Sequence, residues 1–168
     1  MFAAHTRFLL MTSDYSTKDI ETTVYQNTLD RFIDAFWQRD EARLNSFLVQ
    51  PFRFALKNID KTYQDRQALV RLFVGWRNAL ETMQTDVFHC TCRSANFVHG
   101  SADHILGNHE TYMIRGNNFL REPFLCSMRL TRETGDLRLN EWSILLHGRE
   151  LSAPCQVCFE EAGFDLDA

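Results

Sequence analysis

A chain of 168 residues with 45% hydrophobic side chains, 14 Phe and only 7 Gly and 3 Pro has the composition of one aromatic-rich globular domain, not of a disordered chain. Its formal net charge of −4, from 18 basic and 22 acidic residues, and the lack of a long Lys/Arg cluster in the sequence argue against nucleic acid as a partner. No segment approaches the roughly 20 apolar residues of a membrane span and the first residues lack a signal-peptide core, so we expect a cytoplasmic protein without a membrane partner.

Three helix patterns occupy the first half of the chain. Ser16 and Asp19 offer a cap and a first-turn carboxylate for a helix that runs to about residue 38. A second, short helix is predicted over 41–48, and a third over 66–83 with Asp65 as its cap. Helical spacing of apolar residues predicts the faces that meet the core: Tyr25, Leu29, Phe32, Ile33, Phe36 and Trp37 in the first helix, and Leu69, Leu72, Phe73, Trp76 and Leu80 in the third.

Strand patterns follow. Between the second and third helices, Phe52, Phe54 and Leu56 alternate with more polar residues and predict a short strand. From residue 86 onward, four segments at 87–98, 103–114, 119–130 and 137–146 are separated by short Gly- and Asn-containing turns, which predicts an antiparallel meander. Helices first and strands afterward indicate an α+β architecture.

The order of these elements resembles a known group. The passages "FIDAFWQRDEARLNSFL", "YQDRQALVRLF" and "GDLRLNEWSILL" are similar to the nuclear transport factor 2 superfamily, and specifically to its SnoaL-like branch, over residues 19–146. The resemblance implies a cone-shaped roll in which three N-terminal helices pack in a strongly bent antiparallel sheet. We expect this domain at 16–147, a flexible segment at 1–15 and a loosely attached acidic tail at 148–168.

That superfamily implies an apolar pocket between sheet and helices and a homodimer through the outer sheet face. Its members include isomerases, dehydratases, hydrolases and binding modules, so the fold does not determine the function. We expect the pocket to contact a small apolar or aromatic molecule, and eight residues are predicted to line it: Phe32, Phe36, Trp37, Phe54, Trp76, Tyr112, Phe124 and Met128.

Strand alternation selects two polar candidates for the pocket. On the middle strand His109 shares a face with Ile105 and Met113, and on the last strand Glu141 shares the parity of Leu139. An imidazole titrates near neutrality and a carboxylate in a dry pocket has its pKa raised, so either group can transfer protons. The alternatives are a hydrogen-bonded structural His109 and a solvated Glu141 at the rim. The same alternation places Glu122 and the apolar side chains of Phe124, Cys126, Met128 and Leu130 inward.

Two further candidates come from a resemblance to scytalone dehydratase. The passage "DVFHCTC" places His89 at the position of a pocket histidine, and Asp34 matches a carboxylate of the first helix. A His and an Asp beside a hydroxyl would suit a dehydratase or an enolising isomerase. Helical periodicity alone places Asp34 away from the apolar stripe and in solvent. The ketosteroid isomerase groups have no counterpart, because Phe32, Leu56 and Cys126 or Ser127 would occupy their positions.

The five cysteines are interpreted as small buried hydrophobes, since an odd count without a secretory signal does not suggest a disulfide framework. Cys155 and Cys158 form a CxxC, and Cys90 and Cys92 lie two apart on one strand; together they indicate zinc only weakly. We therefore expect neither a metal nor a cofactor.

Two functions follow as hypotheses. The first is a small-molecule pocket protein of the SnoaL-like type, a cofactor-free lyase or isomerase for an apolar or aromatic compound. The alternative is a noncatalytic ligand-binding or dimerisation module whose cone is filled by its own Phe and Trp side chains. In that case Leu125, Arg129 and Trp142 would matter on the outer face of the sheet.

Overall fold

The computed structural model describes residues 17–168, and the segment predicted at 1–15 lies outside them. Four α-helices, seven strands and one 3-10 helix follow each other along the chain. They are α1 Thr17–Gln38, α2 Glu41–Phe47, β1 Leu48–Leu56, β2 Asp60–Tyr63, α3 Arg66–Thr82, β3 Val87–Val98, β4 Ser101–Arg115, β5 Asn118–Phe119, β6 Phe124–Glu133, β7 Asp136–Ile144, the 3-10 helix Gly148–Glu150 and α4 Ala153–Glu161. The predicted α+β class and the three early helices are confirmed. The cap at Asp65 is also confirmed, because its carboxylate accepts from the Gln67 amide at 2.8 Å.

The strands form one sheet in the order β2-β1-β7-β6-β4-β3, with β5 paired to β4. The sheet, expected to be antiparallel, is mixed, since β1 pairs with β7 in parallel. The other neighbours are antiparallel, as in the predicted meander. No tight turn joins β1 to β7, because α3 and five strands separate them in the chain, so hairpin geometry does not set their relative direction.

Aromatic rings fill the space between the helices and one face of the sheet. Phe32 on α1 lies 5.1 Å from Phe73 on α3 and 5.4 Å from Trp142 on β7, measured between ring centroids. Trp76 on α3 contacts Phe36 on α1 at 5.3 Å. These side chains are at most 3% exposed, and rings at such separations pack in the tilted and edge-on arrangements that aromatic pairs favour.

Side chains of α1 cover the free edge of β3. The Gln26 amide donates to the Cys90 carbonyl at 3.1 Å and accepts from the Cys92 amide at 2.6 Å. Glu21 accepts from the Phe97 amide at 2.9 Å. An edge strand presents unpaired backbone groups that can pair with another chain. Here the helix satisfies three of them with side chains.

The expectation of a loosely attached tail is wrong for α4 and the residues after it. Phe159 is fully buried and lies 5.4 Å from Phe54 and 6.0 Å from Trp76, measured between ring centroids. Phe164 and Leu166 are 3% and 2% exposed. The last 20 residues therefore contribute to the same core as the sheet and α3.

In the part of the chain that the structure describes, no helix has the length and the hydropathy to span a bilayer. The predicted cytoplasmic location stays a prediction.

Candidate functional site

His109 is the candidate that the structure places inside the fold. It lies on β4 with its side chain fully buried, and its inward orientation confirms the predicted alternation of that strand. Its Nδ1 lies 2.8 Å from the Tyr25 hydroxyl of α1, and its ring centroid lies 4.9 Å from that of Trp142. Burial lowers the pKa of His109 to about 3, so the imidazole is neutral at neutral pH.

The Tyr25 hydroxyl orients this imidazole. It donates to the Gly107 carbonyl at 3.1 Å, so it can accept from His109 at Nδ1, which leaves the lone pair at Nε2. The Tyr25 ring packs directly against the backbone of Gly107. A Cβ at this position would overlap the ring, so only glycine fits there. Tyr25 was predicted as a core residue only. The signal that was missed is its hydroxyl, since a buried tyrosine needs a hydrogen-bond partner.

Two buried nitrogens on neighbouring rings have no hydrogen-bond partner: Nε2 of His109 and Nε1 of Trp142. Buried polar groups are normally paired, and an unpaired one costs about 1 to 3 kcal/mol. When the proton of His109 is on Nδ1, its Nε2 presents a lone pair, whereas Nε1 of Trp142 presents an N–H. Such a pair could interact with a small hydroxyl-bearing group if the surrounding rings moved apart.

The predicted pocket residues form a packed core. Phe32, Phe36, Phe54, Trp76, Phe124 and Met128 are all at most 7% exposed. Trp37 is half-buried at the surface, where the Arg77 guanidinium lies 3.9 Å from its ring centroid. The grooves on residues 17–168 include five of about 230 to 490 Å³, and none of these five has His109 or Trp142 in its walls.

Tyr112 does not point into the interior. Its hydroxyl donates to Glu110 at 2.7 Å and accepts from Arg93 at 2.9 Å, on the outer face of the sheet. The prediction is wrong because residue 112 has the opposite strand parity from the buried His109.

The inward orientation predicted for Glu141 is also wrong. Arg129 pairs with Glu141 but Leu130 pairs with Leu139, so Asn140 is an extra residue in β7. Such a bulge reverses which side chains face inward. Trp142, which was expected on the outer face, is therefore fully buried. Glu141 lies outside with its carboxylate 2.9 Å from Arg53.

His89 and Asp34 are both exposed. His89 bonds to the Thr91 hydroxyl at 3.1 Å, and Asp34 forms an ion pair with Arg43 at 2.7 Å. Both line a surface groove of about 310 Å³ together with Trp37. The structure thus brings these three predicted residues to one groove, separate from His109. Glu122 is exposed, contrary to its predicted inward position, because β6 begins two residues later.

The cysteines behave as apolar side chains. Burial raises the pKa of the Cys90 and Cys126 thiols, and it raises that of Cys158 to about 12. Such thiols are protonated at neutral pH and are poor metal ligands. Within residues 17–168, no group of three or more His, Cys, Asp or Glu side chains is arranged to hold a metal ion.

Comparisons with known proteins show the fold. No protein-family model matches the chain, and no curated protein matches it. A protein of unknown function from Mycobacterium tuberculosis, solved as a point variant, is 12% identical with a TM-score of 0.57, over 85% of this chain and 86% of that one. A domain of unknown function with a cystatin-like fold from Nostoc punctiforme is also 12% identical with a TM-score of 0.57, over 86% and 95%.

A third similar structure is a proposed dehydratase of the NTF2-like family from Streptomyces avermitilis. It is 11% identical with a TM-score of 0.54, over 76% of this chain and 96% of that one. The predicted nuclear transport factor 2-like fold is therefore confirmed. The SnoaL-like branch stays a prediction, because identities at this level carry no information about activity.

Proposed function

We propose that this chain, which has a nuclear transport factor 2-like fold, is a noncatalytic module that forms a homodimer through the outer face of its sheet. The observation that carries the proposal is the filled interior. Rings from α1, α3, β7 and α4 contact each other where a substrate pocket was predicted. A substrate could enter only by separating side chains that are almost completely buried.

The outer face offers an exposed patch on the central strands of the sheet. Leu106 and Leu125 are 38% and 46% exposed on the central strands β4 and β6. Ser127 and Asn108 form a cross-strand pair between them. A pair of exposed leucines around small polar residues suits an isologous contact, in which the same patch is used twice.

Charged residues beside this patch neutralise each other. Glu141 lies between Arg53 at 2.9 Å and Arg129 at 3.6 Å, and Arg53 also pairs with Asp60 at 2.8 Å. Arg93 forms an ion pair with Glu110. Two copies could approach without placing an unpaired charge in the interface, which would otherwise be costly.

Sedimentation velocity of the wild type and two variants tests this proposal. Leu125→Glu should convert a dimer to a monomer, because it buries like charges on both sides of an isologous interface. Ile20→Glu is the matched control, since Ile20 is 50% exposed on α1, away from the sheet face. A monomeric wild type, or a Leu125→Glu protein that stays dimeric, would contradict the proposal.

A second function has specific support, namely a cofactor-free lyase or isomerase that acts on an apolar or aromatic compound within the interior. The unpaired Nε2 of His109 beside Nε1 of Trp142 favours it, because a neutral imidazole can serve as a general base. The dehydratase proposed among the similar structures agrees with this alternative. An organic molecule retained by the wild type and lost in His109→Phe would favour it over the dimer module.

A further inference from the structure

A groove between α3, α4 and the edge strand β2 carries features that the dimer proposal does not use. It consists of two adjoining cavities of about 380 and 490 Å³ between α3 and α4. Gly75 on α3 and Cys158 and Glu161 on α4 line both cavities. We call these two adjoining cavities together the α3–α4 groove.

One end of the groove is rich in hydrogen-bond donors. Lys61 on β2 lies with its ammonium 5.2 Å from the Tyr63 ring centroid, and it donates to the Ala162 carbonyl at the end of α4. Arg71 on α3 is 71% exposed, and its ion pair to Asp65 is long, at 3.6 Å. Two cationic side chains thus line this end of the cavity.

Tyr63 adds a donor that has no partner in the fold. Its side chain is 6% exposed, lines the same end of the groove, and its hydroxyl makes no hydrogen bond. Burial raises the pKa of Tyr63 to about 12, so the hydroxyl keeps its proton. The hydroxyl oxygen is closed off from solvent in this structure. An acceptor that reached it beside Lys61 would remove the cost of leaving it unpaired.

The other end of the groove is apolar. Ala79 on α3 and Pro154 and Val157 on α4 line it, and Val157 is 52% exposed. The helices approach closely in the middle, because a Cβ at Gly75 would lie 3.2 Å from the Cys158 sulfur. From Leu72 to Ala79 the helix advances by about 10 Å at 1.5 Å per residue, which is the scale of a medium-length alkyl chain.

We propose that the α3–α4 groove binds a medium-chain fatty acid, with its carboxylate at Lys61, Arg71 and Tyr63 and its alkyl chain along Ala79 and Val157. The negatively charged carboxylate oxygens of the fatty acid would accept hydrogen bonds from the three donors at one end of the groove. Its methylene groups would contact the apolar walls at the other end. Glu161 is the single carboxylate that lines the groove, and it lies exposed at the rim.

Saturation-transfer NMR with three probes tests the assignment of head and tail. Octanoate should bind the wild type. Acetate, which has the head alone, and octylammonium, which has the same tail and the opposite charge, should each bind at least roughly tenfold more weakly, a difference of about 1.4 kcal/mol. Octanoate that binds no better than either comparison compound would overturn the proposal, as would no binding at all.

Four variants locate the site. Tyr63→Phe removes only an unpaired hydroxyl, so the fold should keep its stability while octanoate binding weakens. Arg71→Gln should weaken octanoate binding by removing a cation near the carboxylate, and Val157→Glu should weaken it by placing a charge beside the alkyl chain. Glu161→Gln should strengthen octanoate binding, because it removes a negative charge that repels the carboxylate. A thermal melt verifies that each variant is folded.

Two controls separate this groove from other surfaces. Tyr112→Phe removes a hydroxyl on the outer sheet face and should leave octanoate binding unchanged. His109→Phe changes the sheet interior and should also leave it unchanged. Octanoate affinity that is unaffected by Tyr63→Phe and Val157→Glu, or that is lost in His109→Phe, would contradict binding in the α3–α4 groove.

Discussion

His109 is a titratable group that the fold holds in its neutral form. Its surroundings are the Tyr25 hydroxyl, the Trp142 ring and the apolar β4 face, and burial lowers its pKa from 6.5 to about 3. Between these two pKa values the unfolded chain binds a proton at this residue and the folded protein does not. Stability contributed by the neutral imidazole is therefore present above about pH 6.5 and decreases as the pH falls toward 3.

This residue gives a prediction for acid stability. Between pH 7 and pH 5 the wild type should lose about 2 kcal/mol more unfolding free energy than His109→Phe, since each unit below the unfolded pKa costs about 1.4 kcal/mol. Urea unfolding at the two pH values measures the difference. His89→Phe, at an exposed position, should retain the wild-type dependence. Equal pH dependence in the wild type and His109→Phe would contradict the buried neutral imidazole.

Strand alternation predicts which side chains face the interior as long as the strand is regular. The pattern correctly placed His109 and the even-numbered side chains of β6 inward. It failed on β7, where the extra residue Asn140 exchanges the faces of Glu141 and Trp142. Asn is an ordinary residue in that position, so nothing in the local sequence marks the bulge, and only pairing with β6 and β1 shows it.

At the scale of elements, α1 has two roles that one helical stripe does not indicate. Its apolar face packs on the sheet interior, and its polar Gln26 bonds to the backbone of β3. Strand β3 is the last strand of the sheet path, so its outer backbone groups need partners or solvent. We interpret Gln26 as a side-chain substitute for the next strand.

Gln26→Ala should therefore destabilise the protein by about 1 to 2 kcal/mol and speed hydrogen exchange at the Cys92 amide, because two backbone groups lose their partner. Unfolding free energies and residue-resolved exchange measure both effects. Gln38→Ala is the matched control, since this residue lies exposed at the end of the same helix. Unchanged protection of the Cys92 amide would contradict this role of Gln26.

The terminal helix α4 was missed although its sequence contains helix signals. Ser152 and Pro154 suit the first positions of a helix, and Gly163, with a φ of 82°, suits the residue after its end. Cys155 and Phe159 are four residues apart and form its buried face. The acidic residues around them concealed this short pattern.

Phe159→Ala should cost about 3 to 5 kcal/mol of unfolding free energy, the usual penalty for emptying a buried phenylalanine site. Val157→Ala on the same helix should change stability by no more than about 0.5 kcal/mol, since Val157 is half exposed. Chemical denaturation measures both. Similar, small effects of the two substitutions would indicate that α4 does not contribute to the core.

At the scale of the whole molecule, the order of elements was enough to predict the fold class. Three helices followed by a meander describe residues 17–144 in outline, and the similar structures confirm the fold. The parallel pairing of β1 with β7 was not predictable, because it joins segments far apart in the chain. The pocket was inferred from the resemblance, and the aromatic side chains that implied its walls fill the space instead.

The filled interior and the paired charges of the outer face favour a homodimer that uses this face. Native mass spectrometry of freshly purified protein tests it directly, since one spectrum reports both the oligomer and any retained molecule. We expect a dimer of the chain without an organic adduct in its interior, and the same spectrum for His109→Phe. A monomer that carries an organic adduct, lost in His109→Phe, would contradict the proposed homodimer and establish a ligand pocket inside the sheet.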